Sequence, residues 1–517
     1  MELITLVLAS FVCLSGIVYY FLRREQQQWS RLGVPTAKNP HLIYGNIRGI
    51  FQKEHSCKVL QRLYWEFKGR GLKMGGIMNF FQPAVLVVDP EISKSILVKD
   101  FHKFHDRGVF VDSAGDPLSA NLFSLQGSEW KAMRTKMSPT FTSGKMKYMF
   151  GSVMKVADEL KEYVAENCAK ENIELKNILQ RFTMDVIGNV AFGVECNSIK
   201  NPSSEFRLMG LKANEFDGIT FFKLFIGGTY KNFAKKIKLK LIKEDVQNFF
   251  MNLVHSTIQY REKNGVRRND FMDLLIRIKN DGKLSNEANS GGNGITVSEI
   301  AAQCFIFFTA GFETSSTTMN FCLYELARNP KIQDRLRREI EESIAKDGGE
   351  LKYETLLGMS YLDRVVNETL RKYSAVDNLF RMSNSPYTPE GCDFTIPAGT
   401  MFQIPVHSMH HDPDHFPNPQ RFDPDRFLPE AVRSRHPFAY LPFGEGPRIC
   451  VGMRFGQMQT KIGLVTLLRS FRFAPMSETP DRLEFDEKVF VLTPKTGVYL
   501  KIEPIGNVIP IERVPKD

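Results

Sequence analysis

Cysteine is scarce in this chain, with eight residues among 517 and no two of them spaced as C-x-x-C. A secreted module held together by disulfides is shorter and richer in cysteine, so that class is excluded. The excess of positive charge is also small, +10 from 68 Lys and Arg against 58 Asp and Glu. It suits an acidic partner or an anionic membrane and gives no reason to expect nucleic acid. The mean hydropathy of −0.23 excludes a protein with many membrane spans.

One long hydrophobic run is present, LITLVLASFVCLSGIVYYFL at residues 3–22. Twenty helical residues extend over about 30 Å, the thickness of a bilayer core. Arg23 and Arg24 follow the run, which predicts that the rest of the chain stays in the cytosol. The alternative is a cleaved signal peptide, whose positive charge would precede the run. We therefore predict a transmembrane anchor at 3–22, a Pro/Gly-rich hinge at 23–45 and one globular domain at 46–517.

The pattern of the body indicates a mainly α fold with small β sheets. Residues 149–170 repeat apolar side chains at helical spacing, as does most of the chain between 85 and 375. Two short segments, 84–89 and 496–503, predict strands. The polar, glycine-rich residues 281–294 predict an exposed loop.

Residues 219–240 interleave four phenylalanines with six lysines. Aromatic rings among lysines favour a surface that dips into anionic lipid, with the lysines at the level of the headgroups. The alternative is an amphipathic core helix with a solvated basic face.

A helix of about 32 residues is predicted to start after Thr296, because T-V-S-E is a capping box and the next proline is Pro330. In its middle, the apolar residues 304–308 give way to TAGFETSSTT at 309–318. A buried helix does not carry a carboxylate and a row of hydroxyls unless its chemistry needs them. Gly311 permits a local distortion, and Thr314 can bond a freed carbonyl or a ligand. The alternative is that the polar row marks only the exposed end of the helix.

Cys450 differs from the other cysteines in its surroundings. It lies in FGEGPRICVG at 443–452, where three glycines leave a loop poor in side chains just before a periodic helical segment. The dipole and the free N–H groups of a helix N-terminus stabilise a thiolate. With no Cys or His at zinc spacing, Cys450 is a poor zinc ligand and a good axial ligand for haem iron. Arg448 could pair a haem propionate.

With these residues the chain resembles the cytochrome P-450 superfamily, the haem-thiolate monooxygenases, over essentially its whole length. Four motifs in the family's order carry the resemblance: Trp130 and Arg134 (W-x-x-x-R), Ala310 to Thr314 (A/G-G-x-D/E-T), Glu368 and Arg371 (E-x-x-R), and Phe443 to Gly452 (F-x-x-G-x-R-x-C-x-G). The stretches at 100–108 and 140–147 look like those of insect microsomal enzymes, which metabolise insecticides, plant toxins and sometimes hormones.

The chain departs from the family after the E-x-x-R motif, where the usual continuation is ETLRKYPP-x-P. Ser374, Ala375 and Asp377 replace the prolines, in a segment that normally borders the substrate. This change leaves the haem chemistry intact and bears on the shape of the substrate pocket and on the family's usual substrate range.

The resemblance implies a cytochrome P-450 fold in which 46–517 is the haem-thiolate catalytic domain, with haem b and Cys450 as the ligand of its iron. The implied site residues are the propionate partners Trp130, Arg134, Arg381 and Arg448, the proton-relay residues Glu313 and Thr314, the structural ion network Glu368, Arg371 and Arg426, and the apolar substrate contacts Phe110, Phe123, Phe307, Phe308, Ala310 and Leu379. It also implies the endoplasmic reticulum (microsomal) membrane, with the catalytic domain on its cytosolic side.

The expected reaction inserts one atom of O₂ into an apolar small molecule with electrons derived from NADPH. Because the chain has no flavin or dinucleotide fingerprint, the electrons must come from a separate NADPH-dependent reductase, with cytochrome b5 as a second candidate donor. A basic face would dock such an acidic partner, formed by Lys131, Lys136, Lys145, Lys147, Arg454 and Lys461. Two alternatives remain: a reductase-independent haem-thiolate isomerase or dehydratase, against which the Glu313 and Thr314 pair argues, and a non-catalytic ligand-binding member.

Overall fold

Helices account for most of the computed structural model, which describes residues 2–50, 53–170, 172–215, 218–268, 270–281 and 294–506. Its α-helices, numbered in chain order, are α1 (Glu2–Gln26), α2 (Gln28–Arg31), α3 (Ser56–Gly69), α4 (Pro90–Lys94), α5 (Gly127–Met137), α6 (Ser143–Asn167), α7 (Leu175–Ile187), α8 (Glu205–Ala213), α9 (Gly218–Thr229), α10 (Lys231–Lys236), α11 (Glu244–Asn264), α12 (Phe271–Asp281), α13 (Val297–Arg328), α14 (Pro330–Lys346), α15 (Tyr353–Gly358), α16 (Ser360–Lys372), α17 (Val406–His410), α18 (Pro429–Ser434) and α19 (Met453–Ser470). The strands are β1 (Met74–Asn79), β2 (Gln82–Val87), β3 (Leu379–Met382), β4 (Met401–Ile404), β5 (Phe471–Pro475) and β6 (Leu500–Pro504). The predicted class, mainly α with small sheets, is confirmed.

The N-terminal helix α1 is longer than the predicted anchor. Its segment Ile4–Gln26 is long and apolar enough to cross a membrane, and none of it is buried within the protein. The helix continues past Arg23 and Arg24, so the predicted hinge at 23–45 begins with helix, and α2 also falls within it. The remaining residues of that segment form turns and isolated bridges.

Two compact units share the chain, and each is built from separate segments. The first unit consists of Met1–Gly108, Val376–Pro417 and Arg435–Ile449. Its sheet has the order β1-β2-β4-β3, with β2 and β4 parallel and the two outer pairs antiparallel. The aromatic side chains Tyr64 and Phe67 of α3 are fully buried in the apolar core with the sheet residues.

The second strand stops short of its predicted end. β2 covers Gln82–Val87, whereas the sequence predicted a strand at 84–89. Asp89 instead caps α4, since its Oδ1 accepts the N–H of Glu91 at 2.7 Å. The capping requirement of the following helix therefore ends the strand.

The second unit consists of Val109–Ala375, Asn418–Ser434 and Cys450–Asp517 and holds most of the helices. Helix α13 is its central element, with 32 residues that extend over about 48 Å. The predicted capping box is present: Glu299 N–H donates to Thr296 Oγ1 at 3.1 Å, and Thr296 N–H donates to Glu299 Oε2 at 2.7 Å. Helices α7, α11, α16 and α19 pack against α13.

Two further predictions concern the small sheet and the loop regions. β6 pairs antiparallel with β5 and begins at Leu500, later than the predicted strand at 496–503, because Thr496 lies in a bend. Of the predicted loop at 281–294, residues 282–293 lie outside the described part of the chain. The aromatic and lysine-rich segment 219–240 forms most of α9 and all of α10.

Candidate active site

Trp130 and Arg134 lie one turn apart on α5, where residues four apart share a face. Trp130 is buried and Arg134 is half-buried. Burial lowers the pKa of the Arg134 guanidinium, and the negative charge of Cys450 acts in the opposite direction. Within the second unit, Arg134 is therefore close enough to Cys450 for their charges to interact.

Cys450 is exposed and lies three residues before the first residue of α19. An exposed sulfur just ahead of a helix is in a position that favours its thiolate. Other cysteines of the second unit have the opposite character, since burial raises the pKa of the Cys304 thiol and raises that of Cys322 to about 12. In the described part of the chain no disulfide joins any of the eight cysteines.

The loop that leads to Cys450 needs its glycines. Gly446 has a φ of +74°, and a Cβ at this position would collide with the backbone oxygen of Leu97 in the first unit. Gly446 also begins a 3₁₀ turn that ends at Arg448. The small residue thus lets the backbone turn closely enough to place Arg448 inside the unit.

Arg381 and Arg448 are two buried cations of the first unit, each with 2 % of its surface exposed. Arg448 Nε donates to the carbonyl of His105 at 2.6 Å, and its guanidinium lies 3.7 Å from Asp106 Oδ1. Arg381 donates to the carbonyl of Phe380 at 2.8 Å, while its Nε has no hydrogen-bond partner among the described residues. Burial, followed by the charge of Arg448, lowers the pKa of Arg381 to about 9. Among the described residues, Arg381 makes no ion pair.

Helix α13 has an open face at its middle. Ala310 is exposed and Thr314 is half-buried, whereas the residues from Ser315 to Ala327 are buried. The polar row at 309–318 is therefore not the exposed end of the helix, and that alternative is wrong. Thr314 Oγ1 donates to the carbonyl of Ala310 at 2.8 Å, and the helix continues through this point without interruption.

The carboxylate of Glu313 faces α7. Its Oε1 lies 2.8 Å from Lys176 Nζ, and its Oε2 accepts a hydrogen bond from Gln180 Nε2 at 2.8 Å. Burial lowers the pKa of Lys176, and the charge of Glu313 opposes that effect. Neighbouring residues Glu313 and Thr314 thus have different partners: the acid bonds to α7 and the hydroxyl bonds within α13.

Glu368, Arg371 and Arg426 lie together in the second unit. Arg371 makes two bonds to the carboxylate of Glu368, at 2.6 and 2.8 Å, and neither side chain has exposed surface. Arg426 Nε lies 3.4 Å from the same carboxylate, and Arg371 also donates to the carbonyl of Pro419 at 2.8 Å. Burial raises the pKa of Glu368, and the bonds from Arg371 oppose this. The cluster ties α16 to the segment before α18.

The predicted substrate contacts occupy different surroundings. Ala310 is exposed, Phe123, Phe307 and Leu379 are half-buried, and Phe110 and Phe308 are buried. Phe308 has no exposed surface, and its ring packs at 4.8 to 6.2 Å from a set of core rings, Phe192, Phe206, Phe250 and Phe312. Phe307 contacts a separate set, Phe141 and Phe271, at 5.3 and 4.5 Å. The two adjacent phenylalanines therefore belong to different aromatic clusters.

Comparisons with known proteins agree with these features. The family model described as Cytochrome P450 matches residues 35–501. The chain is 44% identical over 500 residues to "Probable cytochrome P450 6a14" of Drosophila melanogaster, covering 95% of this chain and 98% of that protein. It is 41% identical over 501 residues to "Cytochrome P450 6A1" of Musca domestica, covering 96% and 97%.

The chain belongs to the cytochrome P450 family. The predicted likeness to insect enzymes is confirmed, and this P450 is a haem monooxygenase whose family binds haem iron through a cysteine thiolate. The residues of each unit, taken by itself, fit that group. In the second unit, Cys450 is exposed before α19 and α13 is open at Ala310; in the first unit, the buried Nε of Arg381 has no acceptor among the described residues.

Sequence reasoning missed the partners of Glu313 in this P450. Lys176 and Gln180 were not singled out, although Lys176 stands between the buried residues Leu175 and Ile178 on the apolar face of α7. A lysine on such a face is the signal that could have found it, since lysines are rarely buried without a partner. The glutamate to which it pairs lies 137 residues further along the chain.

The residues that replace the family's prolines are all buried in this P450. Ser374 Oγ donates to the carbonyl of Leu370 at 3.2 Å, in the last turn of α16. In the first unit, Asp377 Oδ2 accepts a hydrogen bond from Ser56 Oγ at 2.6 Å and lies 3.9 Å from His55. Burial raises the pKa of Asp377. These polar replacements satisfy local hydrogen bonds that prolines could not make.

Proposed function

We propose that this P450 oxidises apolar small molecules, such as insecticides, plant toxins or insect hormones, with electrons that a reductase takes from NADPH. The observation that carries the proposal is the open face of α13, where exposed Ala310 is followed by Glu313 and Thr314. An opening in the middle of a buried helix gives a reactant access, and the adjacent acid and hydroxyl can move protons. Insect P450 relatives, matched over 95% or more of this chain, support the reaction class.

Each site residue has a role in this proposal. Cys450 would bind the iron as a thiolate, and Trp130, Arg134, Arg381 and Arg448 would pair the propionates. The bound haem supplies the activation of O₂. Glu313 and Thr314 would deliver protons at the open face of α13, and Glu368, Arg371 and Arg426 would hold the fold. Substrate contact is proposed for Ala310, Phe123, Phe307 and Leu379, which have exposed surface, and for Phe110 and Phe308, which are buried.

The proposed partner is an NADPH-dependent reductase, with cytochrome b5 as a second donor. Exposed or half-buried basic residues of the second unit support a docking face for an acidic protein: Lys131, Lys136, Lys145, Lys147 and Arg454. Lys461 is buried and pairs with Asp363, so it does not belong to this face. Arg454 lies only four residues beyond Cys450 in the sequence. A donor protein bound at Arg454 would therefore lie near the thiolate.

The proposed location is the endoplasmic reticulum membrane, with the catalytic domain in the cytosol. Helix α1 would be the anchor, with Arg23 and Arg24 on the cytosolic side. The α9 and α10 segment supports a further lipid contact, because Phe222 and Phe233 are 62% and 53% exposed beside exposed lysines.

The experiment that tests the function starts with the carbon monoxide difference spectrum of the reduced, membrane-expressed protein. We expect the strongly red-shifted Soret band that a thiolate ligand of the haem iron would give, and its loss in Cys450→Ala. Conversion of an apolar probe, 7-ethoxycoumarin, is then measured with NADPH and reductase. Haem-loaded wild type without the red-shifted band would contradict the role of Cys450. The band without NADPH-dependent turnover across a panel of apolar probes would favour a reductase-independent or non-catalytic member.

A further inference from the structure

Lys176 is a buried cation whose contacts all lead to the middle of α13. Its Nζ lies 2.8 Å from Glu313 Oε1, 3.3 Å from the carbonyl of Glu313 and 3.0 Å from Ser316 Oγ, and it also donates to Thr317 Oγ1. Its side chain is 9% exposed and that of Glu313 is 12% exposed. An ion pair with so little contact with water is screened weakly, so its geometry is held firmly.

Both oxygens of the Glu313 carboxylate are engaged from the same side. Lys176 occupies Oε1, and Gln180, one turn later on α7, donates to Oε2 at 2.8 Å. Lysine and glutamine four residues apart on one helix face thus form a two-point support for a single acid. This support fixes the direction of the carboxylate relative to α13.

The hydroxyl of Thr314 has no share in this support. It donates to the carbonyl of Ala310 at 2.8 Å, on the open face of the helix. Successive residues of an α-helix point about 100° apart, so Glu313 and Thr314 face different surroundings. For a proton to pass from the acid to the open face, the carboxylate must be held near that face and must release the proton in a defined direction.

We propose that Lys176 is a positioning residue for Glu313, and that the α7 support, made of Lys176 and Gln180, governs proton delivery by the acid at the open face of α13. The inference rests on the proposed function, since it concerns the acid that serves the oxygenase reaction. Lys176 acts through Glu313 and does not itself contact substrate. The other titratable group that acts on Lys176 is Glu174, at the start of α7.

A matched control exists on the same helix. Lys372 of α16 lies 2.8 Å from Glu325 of α13, and the side chains of that pair are 15% and 5% exposed. Glu325 follows Glu313 by 12 residues, which is about 18 Å along the helix. Lys372→Met therefore removes an equally buried ion pair of α13 without touching Glu313.

The test compares four variants with the control Lys372→Met. The four are Lys176→Met, Lys176→Arg, Glu313→Gln and the double variant that combines Lys176→Met with Glu313→Gln. The first readout is the infrared C–O stretching band of carbon monoxide bound to each reduced protein, which senses the electric field at the open face and needs no turnover. We expect Lys176→Met to shift the band and Lys176→Arg to restore it in part. Lys372→Met should leave it unchanged. In the Glu313→Gln background, loss of Lys176 should add no further shift.

The second readout is the amount of 7-ethoxycoumarin product formed per NADPH consumed, followed from pH 6 to pH 8. We expect Lys176→Met to lower this ratio about ten-fold, well within what a positioned acid contributes. Lys372→Met should retain the ratio of the wild type, and the double variant should match Glu313→Gln. We also expect the dependence of this ratio on pH to differ in shape between Lys176→Met and the wild type.

The two proposals fail in different ways. An unchanged C–O band in Lys176→Met, or an equal shift with and without Glu313, overturns the positioning role even if the wild type is an active oxygenase. Absence of NADPH-dependent turnover in the wild type overturns the proposed function, and the C–O comparison then still decides whether Lys176 acts through Glu313.

Discussion

Replacing Arg381 by methionine should make the haem-free protein more stable and the haem-loaded protein less able to retain its haem. Arg381 is 2% exposed, and burial with the charge of Arg448 lowers its pKa from the ordinary value of an arginine to about 9. At about 1.4 kcal/mol for each tenfold change in the proton equilibrium, this difference corresponds to roughly 5 kcal/mol against the charged form. An unpaired buried cation of this kind destabilises the folded state, and an anion beside it recovers part of that cost.

The sign of the pH dependence follows from the lowered pKa. The lowered pKa opens a window, starting at about pH 9, in which the folded protein gives up the proton of Arg381 more readily than the unfolded chain does. Stability therefore rises with pH in that window, and the full cost is present at every pH below it. At neutral pH the haem-free protein carries the whole cost.

Two measurements check this prediction. Guanidinium chloride unfolding of the haem-free protein should show Arg381→Met to be more stable than wild type by a few kcal/mol. Transfer of haem to excess apomyoglobin should be about ten-fold faster or more from the variant, as expected for loss of a charge-assisted bond.

Arg337→Met is the matched control for that experiment. Arg337 is also buried, but it donates to the carbonyls of Leu468 and Phe471, at 2.9 and 3.1 Å. Its removal should destabilise the protein without speeding haem transfer. The reasoning is refuted if Arg381→Met destabilises the haem-free protein as Arg337→Met does and releases haem at the wild-type rate.

Two further predictions concern other buried charges. Glu368→Gln leaves Arg371 and Arg426 without their carboxylate and should cost about 3 to 5 kcal/mol, seen as a lower urea midpoint and less haem-loaded protein. A wild-type midpoint would contradict the structural role of the cluster. Asp377→Asn tests a carboxyl whose pKa burial raises above 3.8, so that wild-type stability falls as pH rises through that raised pKa. Urea midpoints from pH 4 to pH 8 should be flatter for Asp377→Asn, and parallel curves would show that Asp377 does not carry the effect.

Local chemistry made some elements predictable from the sequence. The capping box at Thr296 and Glu299 fixes the start of α13, and the absence of proline inside it allows its full 32 residues. The glycine-rich loop around Cys450 and the following helix α19 could also be predicted, because the residues that indicate them lie within a few positions of one another.

Other features depend on contacts between residues far apart in the sequence, so they could not be predicted from it. The bond between Ser56 and Asp377 joins positions 321 residues apart, and the support of Glu313 by Lys176 depends on how α7 packs against α13. Phe307 and Phe308 are adjacent in sequence but belong to separate aromatic clusters, which composition does not reveal.

The parallel pairing of β2 with β4 has a consequence for biosynthesis. Ala84 pairs with Met401, so the sheet of the first unit cannot be completed until more than 300 further residues have been made. At roughly 5 to 20 residues per second, the hairpin of β1 and β2 waits on the order of 15 to 60 s with one edge unpaired. Most of the second unit is synthesised during that interval. The β1–β2 hairpin is therefore made long before its sheet reaches its final structure, and its exposed strand edge is where chaperone protection matters most.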